Sequence, residues 1–282
     1  MGSDSPLISI VCPVFCHTED HVGYLSEALE SVAAQTYDRT ELVIVDDRSP
    51  IDIVPIVESV RGLPPTRILR NTANLGHAEA RNVGVQASEG ELIAFLDHDD
   101  IWLPDKLKAQ AEVLGSNKDA AMTFCDVEIL CETNQNTTAG NTLAPAVSKL
   151  YFDQSKIPER PTLGWLMSHR NCVITVSSVL VRKQAMLDIG LFDGRYSSCD
   201  DYDAWLKIRS RWPIIHLPKV CAKYRLHRFN ANYAVDHLRD NRLLTKLMLD
   251  LWKQLTPAEK LQVLPTLVRK TVGRIYWVIR RW

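Results

Sequence analysis

Through the first half of the chain, short apolar runs rich in β-branched residues alternate with segments of helical periodicity, which narrows the fold more than any other feature. "LISIVCPVF" reads as a fully buried strand ended by Pro13. The next segment, "HVGYLSEALESVAAQ", sets Val22, Leu25, Leu29, Val32 and Ala33 on one helical face. "ELVIVDD" is a second strand, "TRILR" a third and "ELIAFLDHDD" a fourth, with "AAMTFCDVEIL" completing a fifth. Between them lie "IDIVPIVESV", a poorer helix because Pro55 falls inside its pattern, and the Ala-rich "HAEARNVGVQAS". "LPDKLKAQAEVLG" is a helix with Pro104 in its first turn and Gly115 just past its end. This alternation implies right-handed crossovers and an α/β fold, a mainly parallel sheet flanked by helices on both faces.

In sheets of this kind ligands bind beyond the carboxyl ends of the strands. Three of those ends carry chemistry: Pro13, Val14 and Phe15 after the first strand, Asp46 and Asp47 after the second, and Asp97, Asp99 and Asp100 after the fourth. Crowded carboxylates repel one another and each resists burial. The acids at 97–100 are therefore either a solvated turn feeding the next helix or a place for a cation. Asp97 and Asp99 form a D-x-D pair, and one or two carboxylates suit Mg²⁺ or Mn²⁺ bound to substrate phosphates. His98, between them, is expected to face away, since alternate strand residues point oppositely. Asp46 and Asp47 have two readings, a cap on the turn "RSPID" or a carboxylate accepting hydrogen bonds from a base or ribose. Gly76 in "NLGHAEARN" permits close backbone approach, where free N–H groups can face a phosphate. The chain has no G-x-G-x-x-G and no P-loop pattern.

From about 131 to 160 the sequence is polar and Pro-punctuated, which reads as an exposed excursion. "NCVITVSSVLVR" then reads as a strand, and "RKQAMLDIG" as a short helix stopped at Gly190. "DYDAWLKIRSRW" is a helix with Asp201 and Asp203 in its first turn, where the dipole favours a carboxylate and keeps it ionised, as a general base must be. His227, beyond the strand-like "VCAKYRL", is either structural or a ligand. The segment from Asp236 to Trp282 looks helical, interrupted near Pro257 and Pro265. Within it Val268, Val272, Ile275, Tyr276, Ile279 and Trp282 share a stripe, with Arg and Lys over much of the remainder and Trp277 among them. Such a helix lies in an anionic membrane surface, or packs on the protein's own body or a second subunit.

At 282 residues the chain can bury a full core, with or without an appendage. A net charge of -1 gives no global basic footprint for nucleic acid. The start lacks a positive n-region, and no apolar stretch is long enough to cross a bilayer. Seven scattered cysteines without a C-x-x-C pair suit a reducing cytoplasm. The expected location is cytoplasmic, with peripheral contact at the inner face of the membrane if the C-terminal helix binds lipid.

Taken in order, "ISIVCPVF", "ALESVAAQTYDRTELVIVDDRS", "NLGHAEARNVGVQASEGELIAFLDHDD", "WLPDKL", "GLFDGRY" and "DDYDAWLKI" closely resemble the family-2 glycosyltransferases of GT-A fold, over residues 7 to about 228. The resemblance implies a Rossmann-like GT-A domain over residues 1–235, followed by a C-terminal helical extension over 236–282. It implies inverting transfer of a sugar from a nucleotide-diphosphate donor, UDP-linked by preference, to a glycan or lipid-linked acceptor, with Mn²⁺ or Mg²⁺ as cofactor. Pro13, Val14 and Phe15 match the segment lining the base, with Phe15 as the stacking ring. Asp47 matches the acid that pairs with the base, and Asp46 is its neighbour. Asp97 and Asp99 match the acids that meet ribose, metal and diphosphate, and His227 a position near the diphosphate or metal. Asp201 matches the catalytic base. Two positions depart from the pattern: Asp200 stands where the family usually has Glu, and Cys16 where it often has Asn. A sugar-nucleotide nucleotidyltransferase would show a Gly-rich first loop with Arg and Lys, which "CPVFCHTED" lacks. A catalytically inactive carbohydrate-binding relative would not need Asp97, Asp99 and Asp201 intact.

Overall fold

The computed structural model describes residues 5–131, 153–169, 173, 175–227 and 237–279, with side chains in the last stretch described from 238 to 270. The β-branched runs form β1 (Ile8–Val14), β2 (Thr40–Asp46), β3 (Thr66–Arg70), β4 (Leu92–Phe95), β5 (Ile101–Trp102) and β6 (Met122–Cys131). Between them lie α1 (Glu19–Ala33), α2 (Val54–Ser59), α3 (His77–Ala87) and α4 (Lys106–Ser116). The second half supplies α5 (Leu163–Ser168), β7 (Val179–Arg182), α6 (Lys183–Asp188), α7 (Asp200–Arg209), β8 (Ile214–Leu226), α8 (His237–Leu251) and α9 (Pro257–Ile279). The sheet runs β3-β2-β1-β4-β7-β6-β8-β5. Pairing is parallel from β3 through β2 and β1 to β4, and again between β6 and β8. It is antiparallel where β7 enters between β4 and β6, and where β5 joins β8. The expected α/β fold with a mainly parallel sheet is the one observed.

Alternation along the strands sends side chains to two cores. On β1, Ile8, Ile10, Cys12 and Val14 enter one and Val11 the other, while on β4 Leu92 and Ala94 oppose Ile93 and Phe95. Both faces are covered, as a parallel sheet requires. Helix α3 lies so close to the sheet that a Cβ on Gly84 would stand 2.3 Å from Val11 Cγ1. Register then aligns the strand ends: Val14 lies opposite Asp46, and Val11 opposite Phe95.

Some local expectations change. Pro55 falls within the first turn of α2, where no N–H is missed, so it starts that helix instead of interrupting it. Pro104 precedes α4, and Gly115 lies inside that helix. "NCVITVSSVLVR" yields a strand only at Val179–Arg182, preceded by a 3₁₀ turn at Val176–Ser178. There the Thr175 hydroxyl accepts the Ser177 N–H, a local bond that competes with a sheet ladder. The C-terminal helices share the main core: Met248, Leu251, Leu255, Val263 and Leu267 cluster with Leu163, Leu166 and Trp205. Most of the polar excursion, the boundary near 235, and the side chains of the stripe beyond residue 270 lie outside the described residues.

Candidate active site

Three strand ends meet at one edge. Asp47 N–H donates to Val14 O at 2.8 Å, joining the ends of β1 and β2. Pro13 and Val14 are buried, and Phe15 is half-buried with its ring 5.2 Å from that of His17. Asp46 is buried, accepts the Ser49 N–H at 2.8 Å and pairs with Arg70, whose second nitrogen reaches Ser49 O. It thereby fixes the turn after β2. Asp47 points the other way, accepting from Asn71 Nδ2 at 2.7 Å and from the Leu75 and Gly76 N–H groups at 2.8 Å each. Gly76 has φ 85°, a left-handed conformation that favours glycine, and its N–H turns toward this carboxylate.

The acids after β4 divide by function. Asp100 is fully buried, accepts from Thr175 Oγ1 at 2.9 Å and from Arg225 N–H at 3.0 Å, and so fastens the turn to its surroundings. Burial, together with the charges of Asp99 and Asp97, pushes its pKa well above the usual carboxylate value. Asp99 accepts from His227 Nε2 at 2.9 Å. Burial works against its charge, but that hydrogen bond and the nearby His98 and His227 outweigh it and hold Asp99 below the ordinary value. Oxygens of Asp97, Asp99 and Asp100 lie within 4.8 Å of one another. With Asp100 spent on the turn, Asp97 and Asp99 present a hard oxygen pair of the kind Mg²⁺ and Mn²⁺ accept. The His98 ring lies 5.3 Å from that of His21, and its buried Nε2 has no hydrogen-bond partner.

Helix α3 supplies two side chains that join these acids to the second acidic group. His77 and Arg81 sit one turn apart, on one face. Arg81 Nη2 donates to both oxygens of Asp97, at 2.8 and 3.1 Å, while its Nη1 donates to Asp200 at 3.0 Å. His77 Nε2 meets the other oxygen of Asp200 at 2.9 Å. Burial disfavours the Asp200 charge, but His77 and Arg81 outweigh it and keep its pKa low. Asp201, next along, has a different environment. Its carboxylate accepts only its neighbour's N–H, from Tyr202 at 2.6 Å, among the hydrogen bonds described. Burial and the adjacent Asp200 charge raise it to about 7. The helix dipole expected to keep it fully ionised is outweighed. A carboxylate poised near neutrality can take a proton, whereas Asp200 is held by Arg81 and His77.

The loop before α7 is fixed from the C-terminal side. Asp240 on α8 accepts from both Ser197 and Ser198, through backbone and hydroxyl, at 2.9–3.1 Å. Tyr202 Oη donates to Leu166 O on α5 at 2.7 Å. The sequence patterns do not single out Arg81, His77, Arg225 or Asp240. The i, i+4 spacing of His77 and Arg81 in "HAEARN" was the available signal, since it puts both on one helix face above the acids.

The chain is similar to several known proteins. A glucosyltransferase of Escherichia coli, described as UDP-Glc:alpha-D-GlcNAc-diphosphoundecaprenol beta-1,3-glucosyltransferase, is 29% identical over 79% of this chain and 78% of its own. Staphylococcus aureus TarS, solved with UDP-GlcNAc, superposes with a TM-score of 0.71 at 20% identity, over 95% of this chain and 73% of that one. The mannosyltransferase PcManGT of Pyrobaculum calidifontis, solved with GDP-Man and Mn²⁺, gives 0.65 at 17% identity, over 97% and 72%. These two structures share the GT-A fold with this chain. The profile described as Glycosyl transferase family 2 matches residues 9–174, more than half of the sequence, and the chain belongs to that family.

Proposed function

We propose that this protein transfers a sugar, with inversion, from a UDP-sugar to an acceptor hydroxyl in the synthesis of a cell-surface glycan. The observation that carries this reading is the Arg81 bridge, which sets the donor-side acid Asp97 beside the Asp200–Asp201 pair. In this reading Pro13, Val14 and Phe15 line the base, with Phe15 stacking on it. Asp47, steadied by Asp46, accepts from the base, and Asp97 meets the ribose. Asp99 and His227, with Asp97 adjacent, would hold a divalent Mn²⁺ or Mg²⁺, whose charge offsets that developing on the leaving diphosphate. Asp201 accepts the acceptor's hydroxyl proton as that oxygen bonds to the anomeric carbon. The bond from that carbon to the diphosphate breaks on the opposite face, so the anomeric centre inverts and a nucleoside diphosphate departs.

Support for UDP comes from TarS, solved with UDP-GlcNAc, and from the E. coli relative, whose description names UDP-Glc and a lipid-diphosphate acceptor. PcManGT, solved with Mn²⁺, supports the metal. Six free cysteines among the described residues support a reducing, cytoplasmic setting. The test is a melting-temperature screen of UDP, GDP and dTDP with and without Mn²⁺, followed by transfer from the matching sugar nucleotides to lipid-diphosphate glycans. Ligands of the native state raise its melting point. A metal-dependent shift with UDP is expected, and no shift with any nucleoside diphosphate would remove the reading.

A further inference from the structure

Helix α9 is apolar on two sides: its inner side is a core element, and its outer side carries a second apolar stripe. Val263 and Leu267 are buried in the main cluster. On the other side Leu261 is 74% exposed, Leu264 47% and Val268 52%, with exposed Pro265 between them. Positions 261, 264, 265 and 268 fall on one stripe at 3.6 residues per turn. The backbone continues as helix to Ile279, and the sequence repeats the stripe with apolar residues at 272, 275, 276 and 279. The chain is at -1 overall, yet residues 260–282 hold Lys260, Arg269, Lys270, Arg274, Arg280 and Arg281 without an Asp or Glu. Among the described residues no helix is long and apolar enough to cross a membrane.

We infer that the outer face of α9 docks on an anionic lipid bilayer, lying in the headgroup plane. An exposed apolar stripe within a purely basic segment matches a surface that is apolar beneath and negative above. The rigid attachment of the helix fits this role. The Thr256–Glu259 capping box closes its start, and Glu259 Oε1 accepts the Gly164 N–H of α5 at 3.0 Å. The same α5 receives the Tyr202 hydroxyl, one residue from Asp201. The docked helix is therefore tied through α5 to the helix bearing the proposed base. An acceptor anchored in lipid would reach Asp201 from that side. This last consequence rests on the transfer reading; the docking itself does not.

The test is flotation of the full chain with phosphatidylcholine vesicles that contain or lack phosphatidylglycerol. The wild type should float with the anionic vesicles and lose binding as salt rises. Leu264→Asp with Val268→Asp should lower vesicle affinity about tenfold or more, through lost apolar contact. Arg269→Gln, at an exposed position, should lower it about fivefold at low salt. The melting shift with UDP should be the same in all variants, which separates lost docking from lost folding and from failure of the donor reading. Docking is overturned if the wild type does not float, or if the Asp variant floats as the wild type does. A wild-type dimer in light scattering that the Asp variant turns into a monomer, without vesicle binding, would instead make this face a contact between two copies.

Discussion

Asp201 differs from its neighbour Asp200 in what surrounds it. Asp200 is clasped by His77 and Arg81, whereas Asp201 has its neighbour's charge and its own burial against it, and is raised to about 7. Two outcomes follow for Asp201→Asn. Transfer should fall about 10²- to 10⁴-fold while UDP binding persists, since an amide cannot take the proton. Stability should not fall with it. A carboxyl whose native pKa lies above its unfolded value weakens the fold as pH rises between the two, here from about 4 to about 7. Above pH 7 the Asn variant should therefore melt no lower than the wild type, as scanning fluorimetry at pH 5.5 and 8 would register. Wild-type turnover should decline as pH drops below about 7, because Asp201, the proposed base, is then protonated. A second contrast separates Asp99 from Asp100. Asp99→Ala should abolish Mn²⁺-dependent UDP binding in titration calorimetry and lower the melting point modestly while the chain still folds, since buried His227 loses its carboxylate partner. Asp100→Ala strands the Thr175 hydroxyl and the Arg225 N–H in the interior and should cost about 1–3 kcal/mol.

At the scale of elements, helix α3 determines how far apart the two acidic groups stand. Its closeness to β1 depends on Gly84, where a methyl group would stand 2.3 Å from Val11 Cγ1. Gly84→Ala should cost about 1–3 kcal/mol in denaturant melts, as overpacked cores do. It should also lower transfer by moving Arg81 away from Asp97 or Asp200. The strands leading to this site were legible in the sequence because the signal there is dense: "ISIVCPV", "ELVIVDD" and "ELIAFLDHDD" are continuous apolar runs that end in polar residues. For β7 the strand was legible but not its start, since Thr175 and Ser177 divert the preceding residues into a turn that serves Asp97, whose N–H donates to Ser177 Oγ at 3.0 Å. The acids could be read one at a time from their strand ends. Their division into paired, spent and poised groups could not, because it depends on Arg81, Arg225 and His77 arriving from elsewhere in the chain.

Across the whole molecule, the C-terminal helices fasten the side that carries Asp201. Glu259 is pulled down to about 2: burial opposes its charge, and the N–H groups of Thr256 and Gly164 with the threonine hydroxyls outweigh it. Its contribution is therefore present above the ordinary carboxylate range and lost as pH falls toward 2. Glu259→Ala should cost about 0.5–2 kcal/mol, in line with lost helix caps. Hydrogen exchange should quicken in α9 and α5 while UDP affinity holds. The Asp240 bonds to Ser197 and Ser198 have a consequence for order in time. At about 5–20 residues per second, the ribosome adds Asp240 roughly 2–8 s after Asp201. The half of a nascent chain that carries Asp47, Asp97 and Asp99 can thus be assembled while the loop before Asp201 still waits for the helix that will hold it. On the proposed transfer reading, a newly made molecule would then bind donor before it is competent to transfer from it.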